Sequence, residues 1–333
     1  DQLRIPSDSY AVDAGSDSLW MSNSQNLTGD IMGDTRIQSV INMGAYETSQ
    51  VRVLMNGSLY AGIEDALGEA NDGDVLEIIV NTYRMNTQIE WPDVDNVTLR
   101  SGSGLNSGNC VIEQNGTNQC RFIKINRSVS LSIEDLTIRN FGGSSWSGPG
   151  AVFSLDRSNI QLNIRDCRIS GNRVINDPFS ESKGAVFFHD GIDQDVRCER
   201  VWFNNNWSRE GSIAYEGSHE WRQCYITGHD DTAVYKGAHV WIACHFDSNP
   251  GSLGFGGTHA WINCIAYGDT SSVLKDCDAS LLNCSISMNN TSTAIIYDEE
   301  VEQALQKMTT MLEPLMIVVM AVVVGFIVIA MVM

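Results

Sequence analysis

The sequence predicts an all-β chain coiled as a right-handed parallel β-helix, with an N-terminal capping segment and a single C-terminal transmembrane α-helix. Three observations carry that prediction. The octapeptide GSHEWRQC at 217–224 returns as GAHVWIAC at 237–244 and GTHAWINC at 257–264, an internal repeat of twenty residues. Upstream, short runs alternate apolar and polar residues and come in pairs. Downstream, Leu315 to Met333 holds no charged side chain.

A period of twenty is too short for helical-hairpin repeats or propeller blades, which take roughly 33 to 50 residues. Leucine-rich repeats of that length carry a Leu-rich consensus with a fixed Asn, which this chain lacks. The paired runs are Leu131/Ile133 then Leu136/Ile138, Leu162/Ile164 then Cys167/Ile169, and Val196/Cys198 then Val201/Phe203. Within each run a step of two keeps one face apolar, as in a half-buried strand. Between runs the step is three, which flips the parity and demands a sharp bend. Short strands joined by bends make one coil, and coils stack at about 4.8 Å.

In the repeat, Cys224, Cys244, Cys264 and Cys284 form one series, with Trp221, Trp241, Trp261 and Leu281 three residues earlier and His219, His239, His259 and Ala279 five earlier. Two registers fit. One buries the Trp and His ladders and leaves Glu220 and Arg222 in water, where charge belongs. The other buries Val240, Ile242, Ala260 and Ile262 and displays Trp221, Trp241, Trp261, His219, His239 and His259 as ligand-binding ladders, with the indoles stacking on sugar rings. In either register the four cysteines read as a structural ladder of small apolar residues. The three imidazoles form a row with no convergent carboxylate, so no metal site is expected.

The segments INRSVSLSIEDLTIRN, IQLNIRDCRISGN and LLNCSISMNN follow an apolar-x-x-apolar-x-Ile frame, close to the family pattern I-x-x-C-x-F-x-x-N with Ile in place of Phe. They resemble the secreted repeat proteins of the right-handed β-helix, pectin-lyase-like class. Residues 1–47 contain AVDAG (11–15), a Gly29 to Arg36 stretch and MGAYE (43–47). These resemble the module that closes such a β-helix after its last coil, which implies an upstream solenoid. Residues 48–74 are expected to be a linker and a capping helix, because the stretch from Ala61 to Gly104 is similar to that family's opening. Residues 75–297 would be the solenoid itself, on the order of ten coils. The insertions FGGSSWSGPG (141–150) and NDPFSESKG (176–184) would project as loops and carry specificity.

Residues 298–333 break the pattern. Val301, Leu305, Met308 and Leu312 mark an amphipathic lead-in. The uncharged 315–333 that follow suffice, at about 1.5 Å per residue, for a hydrocarbon layer of about 30 Å. Glu299, Glu300, Val301, Leu312, Glu313, Pro314, Gly325, Ala330 and Met331 fall in the register of the last transmembrane segment of type II secretion and type IV pilus inner-membrane platform proteins, which the tail resembles. With Lys307 alone basic near the span, orientation is left open.

The 333 residues hold 41 acidic against 21 basic side chains, a net charge of −20, which repels nucleic acid. The nine cysteines are an odd number, and Cys110 with Cys120 is the expected disulfide pair. GHDD, with His229, Asp230 and Asp231, resembles the paired aspartates of polygalacturonase-like β-helix enzymes and supplies the catalytic candidates. The aligned Asn249-Pro250-Gly251 marks the same place as a turn. If the chain were a lyase, calcium would be the expected cofactor; otherwise none is expected.

Three functions follow as expectations. The first is a non-catalytic bacterial cell-surface or exported β-helix that binds glycans or serves as an adhesive or structural layer, held in the envelope by 315–333. The second is a polysaccharide lyase or glycoside hydrolase on the same fold, and the third is a component of a type II secretion or type IV pilus assembly system.

Overall fold

The computed structural model describes residues 51–297 except 117–118, 144–145, 147, 176–181, 191–193, 269–271 and 289–293. The expected closing module at 1–47 and the membrane span at 315–333 lie outside the described residues. Among the described residues no helix is long and apolar enough to cross a membrane.

Among the described residues the chain from Val75 to Tyr297 winds through nine coils, each giving one strand to each of three long sheets. Sheet A takes strands such as Ser130–Glu134 and Ser218–Arg222, sheet B Thr137–Arg139 and Tyr225–Thr227, sheet C Phe153–Leu155 and Val234–Tyr235. Every pairing between successive coils is parallel. The chain is therefore an all-β parallel solenoid. Its core is a set of columns, since the residue at a given place in one coil sits against its equivalent in the next.

The bend between sheets A and B explains the step of three. In seven successive coils one residue takes the left-handed conformation there, at φ between 51° and 55°: Asp135, Asp166, Arg200, Gln223, Ala243, Asn263 and Asn283. Its N–H is not lost, because it reaches the carbonyl of the next coil, as from Gln223 to Ile242 at 2.9 Å. The following residue then points inward, giving the column Cys110, Leu136, Cys167, Val201, Cys224, Cys244, Cys264, Cys284 by register with sheet B.

At the sheet C to sheet A corner a glycine is required. Gly257 sits at φ +74°, and a Cβ there would lie 2.1 Å from the Gly237 carbonyl oxygen. This accounts for the Gly that opens each octapeptide.

The first coil is closed off. A hairpin, Val53–Met55 and Ser58–Tyr60, turns at Asn56-Gly57 and pairs antiparallel to Val75–Ile78. Beside it helix α1, Ile63–Glu69, buries Ile63, Ala66 and Leu67. The Tyr83 hydroxyl oxygen accepts the Ile63 N–H at 2.8 Å, satisfying a donor of the first helical turn. Helix α1 and the hairpin together lie at this end of the solenoid, and the hairpin was not among the expectations.

Candidate functional site

Of the two registers for the octapeptides, the chain adopts the one that turns the ladders inward. His219, His239 and His259 pair in sequence across sheet A, as do Trp221, Trp241 and Trp261. The indoles are at most 1% exposed and the imidazoles at most 3%. Trp221 and Trp241 stack at 4.7 Å, and His219 and His239 at 4.9 Å. A ligand arriving from solvent meets none of these rings.

Burial disfavours a charged imidazole, so His219 and His239 are held well below the usual histidine value. His189, inward on sheet C, is pushed down to about 4 by burial. Its Nδ1 lies 2.5 Å from Gln194 Oε1 and its Nε2 lies 3.0 Å from His219 Nε2. With Nδ1–H donated to Gln194, Nε2 of His189 accepts the proton of His219. Further along, His239 Nε2–H donates to the Lys236 carbonyl at 2.6 Å and His259 Nε2–H to Gly256 at 2.9 Å. The imidazoles run in file, His219 tied to His189 of an earlier coil and His239 and His259 to nearby backbone carbonyls.

The cysteines are thiols filling space. Cys244, Cys264 and Cys284 each donate to the carbonyl of the Trp in the preceding coil at 3.4 Å. None of the nine is in a disulfide, which corrects the expected Cys110–Cys120 pair. Cys110 belongs to the column instead, donating to the Val80 carbonyl at 3.7 Å.

The three catalytic candidates do not converge. His229 is fully buried, and burial holds it down to about 4. It occupies a place filled by Asn172, Asn206 and Asn249 in neighbouring coils, an inner ladder whose amides close the turn after sheet B. Its N–H donates to Asn249 Oδ1 at 3.1 Å. Asp230 is exposed, and Asp231 accepts the N–H of Thr232 at 2.8 Å within its own turn. One neighbour is inside the wall and the other two outside it.

The outer faces carry aromatic residues that the sequence reading passed over. On sheet B one outward column runs Arg168, Trp202, Tyr225, His245, Ile265, beside a second of Ser170, Asn204, Thr227, Asp247, Tyr267. Successive rings cross nearly at right angles: Trp202 to Tyr225 at 86°, Tyr225 to His245 at 79° and His245 to Tyr267 at 63°. The Arg168 guanidinium lies over the Trp202 ring at 5.1 Å, and Trp202 and Tyr267 remain 38% and 41% exposed. The Tyr225 hydroxyl donates to Asp247 Oδ2 at 3.0 Å. Partial burial and that carboxylate both raise the phenol above its ordinary value.

Sheet C also has an outward ladder, Phe188, Tyr215, Tyr235 and Phe255. Its rings lie parallel, Tyr215 on Tyr235 at 7° and Tyr235 on Phe255 at 9°. Each face is taken by the next ring, and edges alone reach water. Sheet B is therefore the better platform for a flat ligand. Its signal was present in the sequence: Trp202, Tyr225, His245 and Ile265 each follow the inward column of Val201, Cys224, Cys244 and Cys264 by one residue.

Comparison of the chain with protein-family models, with curated proteins and with solved structures finds no match.

Proposed function

We propose that this chain is a non-catalytic, exported β-helix of the pectin-lyase-like kind that binds glycans on the outer face of sheet B, attached to a bacterial envelope through residues 315–333. Right-handed coiling belongs to the proposal, since parallel crossovers take that hand almost without exception. The carrying observation is the stripe of crossed rings from Trp202 to Tyr267 flanked by Asn204, Thr227 and Asp247. An exposed aromatic face offers apolar area to the C–H face of a sugar, and adjacent amide, hydroxyl and carboxylate groups take up its hydroxyls.

Binding is favoured over cleavage by the engagement of Asp231 in its own turn and the burial of His229 inside the wall. Binding to a glycan array gives the test. Trp202→Ala and Tyr267→Ala should each weaken binding roughly tenfold, about 1.4 kcal/mol, while Asp231→Asn leaves it unchanged. Release of reducing sugar or unsaturated uronate that Asp231→Asn abolishes would replace binding with catalysis. Unchanged binding in both aromatic variants would remove sheet B as the platform.

A further inference from the structure

Two acidic side chains share an outward column of sheet B, and their neighbours differ. In register, Glu113 lies between Arg84 and Arg139, whereas Asp247 lies between Thr227 and Tyr267. Glu113 is bridged to Arg84 Nε at 3.4 Å and to Arg139 Nε at 2.9 Å. Sheet A treats its outer acids alike, Glu77 meeting Arg100 and Glu134 meeting Arg165. Asp247 is the exception. Among the described residues no Lys, Arg or His nitrogen pairs with its carboxylate, and Nε2 of His245, on the same outer face of the strand, makes no hydrogen bond.

Two neutral hydroxyls hold Asp247 instead. Tyr225 donates to Oδ2 at 3.0 Å and Ser248 to Oδ1 at 2.8 Å. Each oxygen is oriented by one donor and keeps a lone pair for another, while the negative charge is left whole.

The side chains beside this charge are aromatic. Tyr225 and Tyr267 flank His245, each with its ring centroid 4.8 Å from the imidazole. A phenol face carries negative potential and attracts a cation, as a carboxylate does. The two side by side therefore select a positively charged ligand. A metal ion fits poorly, because calcium takes roughly six to eight oxygens and among the described residues no group of His, Cys, Asp and Glu could hold a metal. A protonated amine needs a single carboxylate and is at home against a ring.

The stripe is also polar along its length. Arg168 lies over Trp202 at 5.1 Å, three coils before Asp247, on the order of 14 Å away at about 4.8 Å per coil. A ligand carrying an amine is drawn to the Tyr267 end and repelled from the Trp202 end. We infer that the sheet B stripe recognises amino sugars, its ligand being a glycan with unacetylated hexosamine whose ammonium group docks on Asp247 between Tyr225 and Tyr267. The inference rests on the glycan-binding reading of this same face and names the sugar class. Asn204 and Thr227, in the preceding coils of the column, supply an amide and a hydroxyl for the hydroxyls of adjoining sugar units.

Titration calorimetry of the full chain in detergent, with hexamers of glucosamine, N-acetylglucosamine and glucose of one linkage, tests it. The glucosamine hexamer should bind about tenfold tighter than the other two. Asp247→Asn, nearly isosteric and still able to accept from Tyr225, should bring glucosamine down to their level and leave them unchanged. Tyr225→Phe keeps the ring and removes one of the two donors, and should fall between; amide protection of Ala238–Ile242 establishes that each variant is folded. Equal affinity of the parent for all three hexamers would overturn the inference and leave the glycan reading standing. Binding of no glycan at all would remove that reading and the inference with it. A glucosamine preference that survives Asp247→Asn would overturn it as general attraction to a chain of net charge −20. Oligolysine held as tightly as the glucosamine hexamer, and weakened as much by Asp247→Asn, would overturn it in favour of a basic peptide.

Discussion

At the scale of single residues, the inward histidines make this wall acid-sensitive. His189 and His229 are fully enclosed, and each is held near 4 against an ordinary 6.5. The sign follows from where the proton goes. Below 6.5 the unfolded chain takes a proton at each position that the folded chain refuses. Stability is complete above that point and falls as pH drops from 6.5 toward 4, by roughly 3 kcal/mol for each of the two sites at the lower limit. His219, His239 and His259, displaced the same way by burial, steepen the loss. Denaturant midpoints measured from pH 7.5 to 4.5 should decline through this window, and a flat profile would show that the histidines are not enclosed. The side these residues face was readable from parity, because Glu220 and Arg222 alternate with them and belong in water. The place of Cys110 was not readable. The insertion at 102–110 lengthens the second coil, so the sulfur lost its spacing while keeping its column.

At the scale of elements, sheet A carries an ordered outer column. Successive coils place Glu77, Arg100, Glu134, Arg165, Glu199 and Arg222 side by side with alternating sign, and then Ile242, Ile262 and Leu282. The Arg100 to Glu77 and Arg165 to Glu134 pairs are 2.6 and 2.9 Å. Each such exposed pair contributes at most about 1 kcal/mol, but the alternation fixes which coil neighbours which. Arg165→Glu faces Glu134 on one side and Glu199 on the other. A loss on the order of 1 kcal/mol in thermal denaturation at low salt is expected, shrinking at 1 M salt, and a loss independent of salt would point to packing instead. Strand content and pairing were legible from the twenty-residue period. The hairpin lies outside the repeat, and its mark in the sequence is the Asn56-Gly57 turn between LM and SLY. The sheet B stripe was missed for a related reason: its members differ in type from coil to coil, and only the register unites them.

At the scale of the whole molecule, each coil touches chiefly the one before and the one after, so stability accumulates through neighbour interfaces. Damage should then be local in its effect. Trp241 fills the seventh coil, stacked on Trp221 and packed against Phe246. Trp241→Ala should cost about 3–5 kcal/mol, and hydrogen exchange should quicken in Ala238–Ile242 and the strands after it while Ser130–Glu134 keeps its protection. A uniform increase along the chain would mean that the solenoid unfolds as one cooperative block.

The inner strand of the hairpin, Val53–Met55, runs against the strands behind it, and its outer strand, Ser58–Tyr60, turns back into their direction. Growth of a filament from identical subunits requires each to offer two matching termini. Here one terminus carries on sheet A a hairpin of two three-residue strands, and the ninth coil shows no counterpart to it among the described residues. Stacking identical molecules end to end along this axis would therefore have to accommodate or displace that hairpin first.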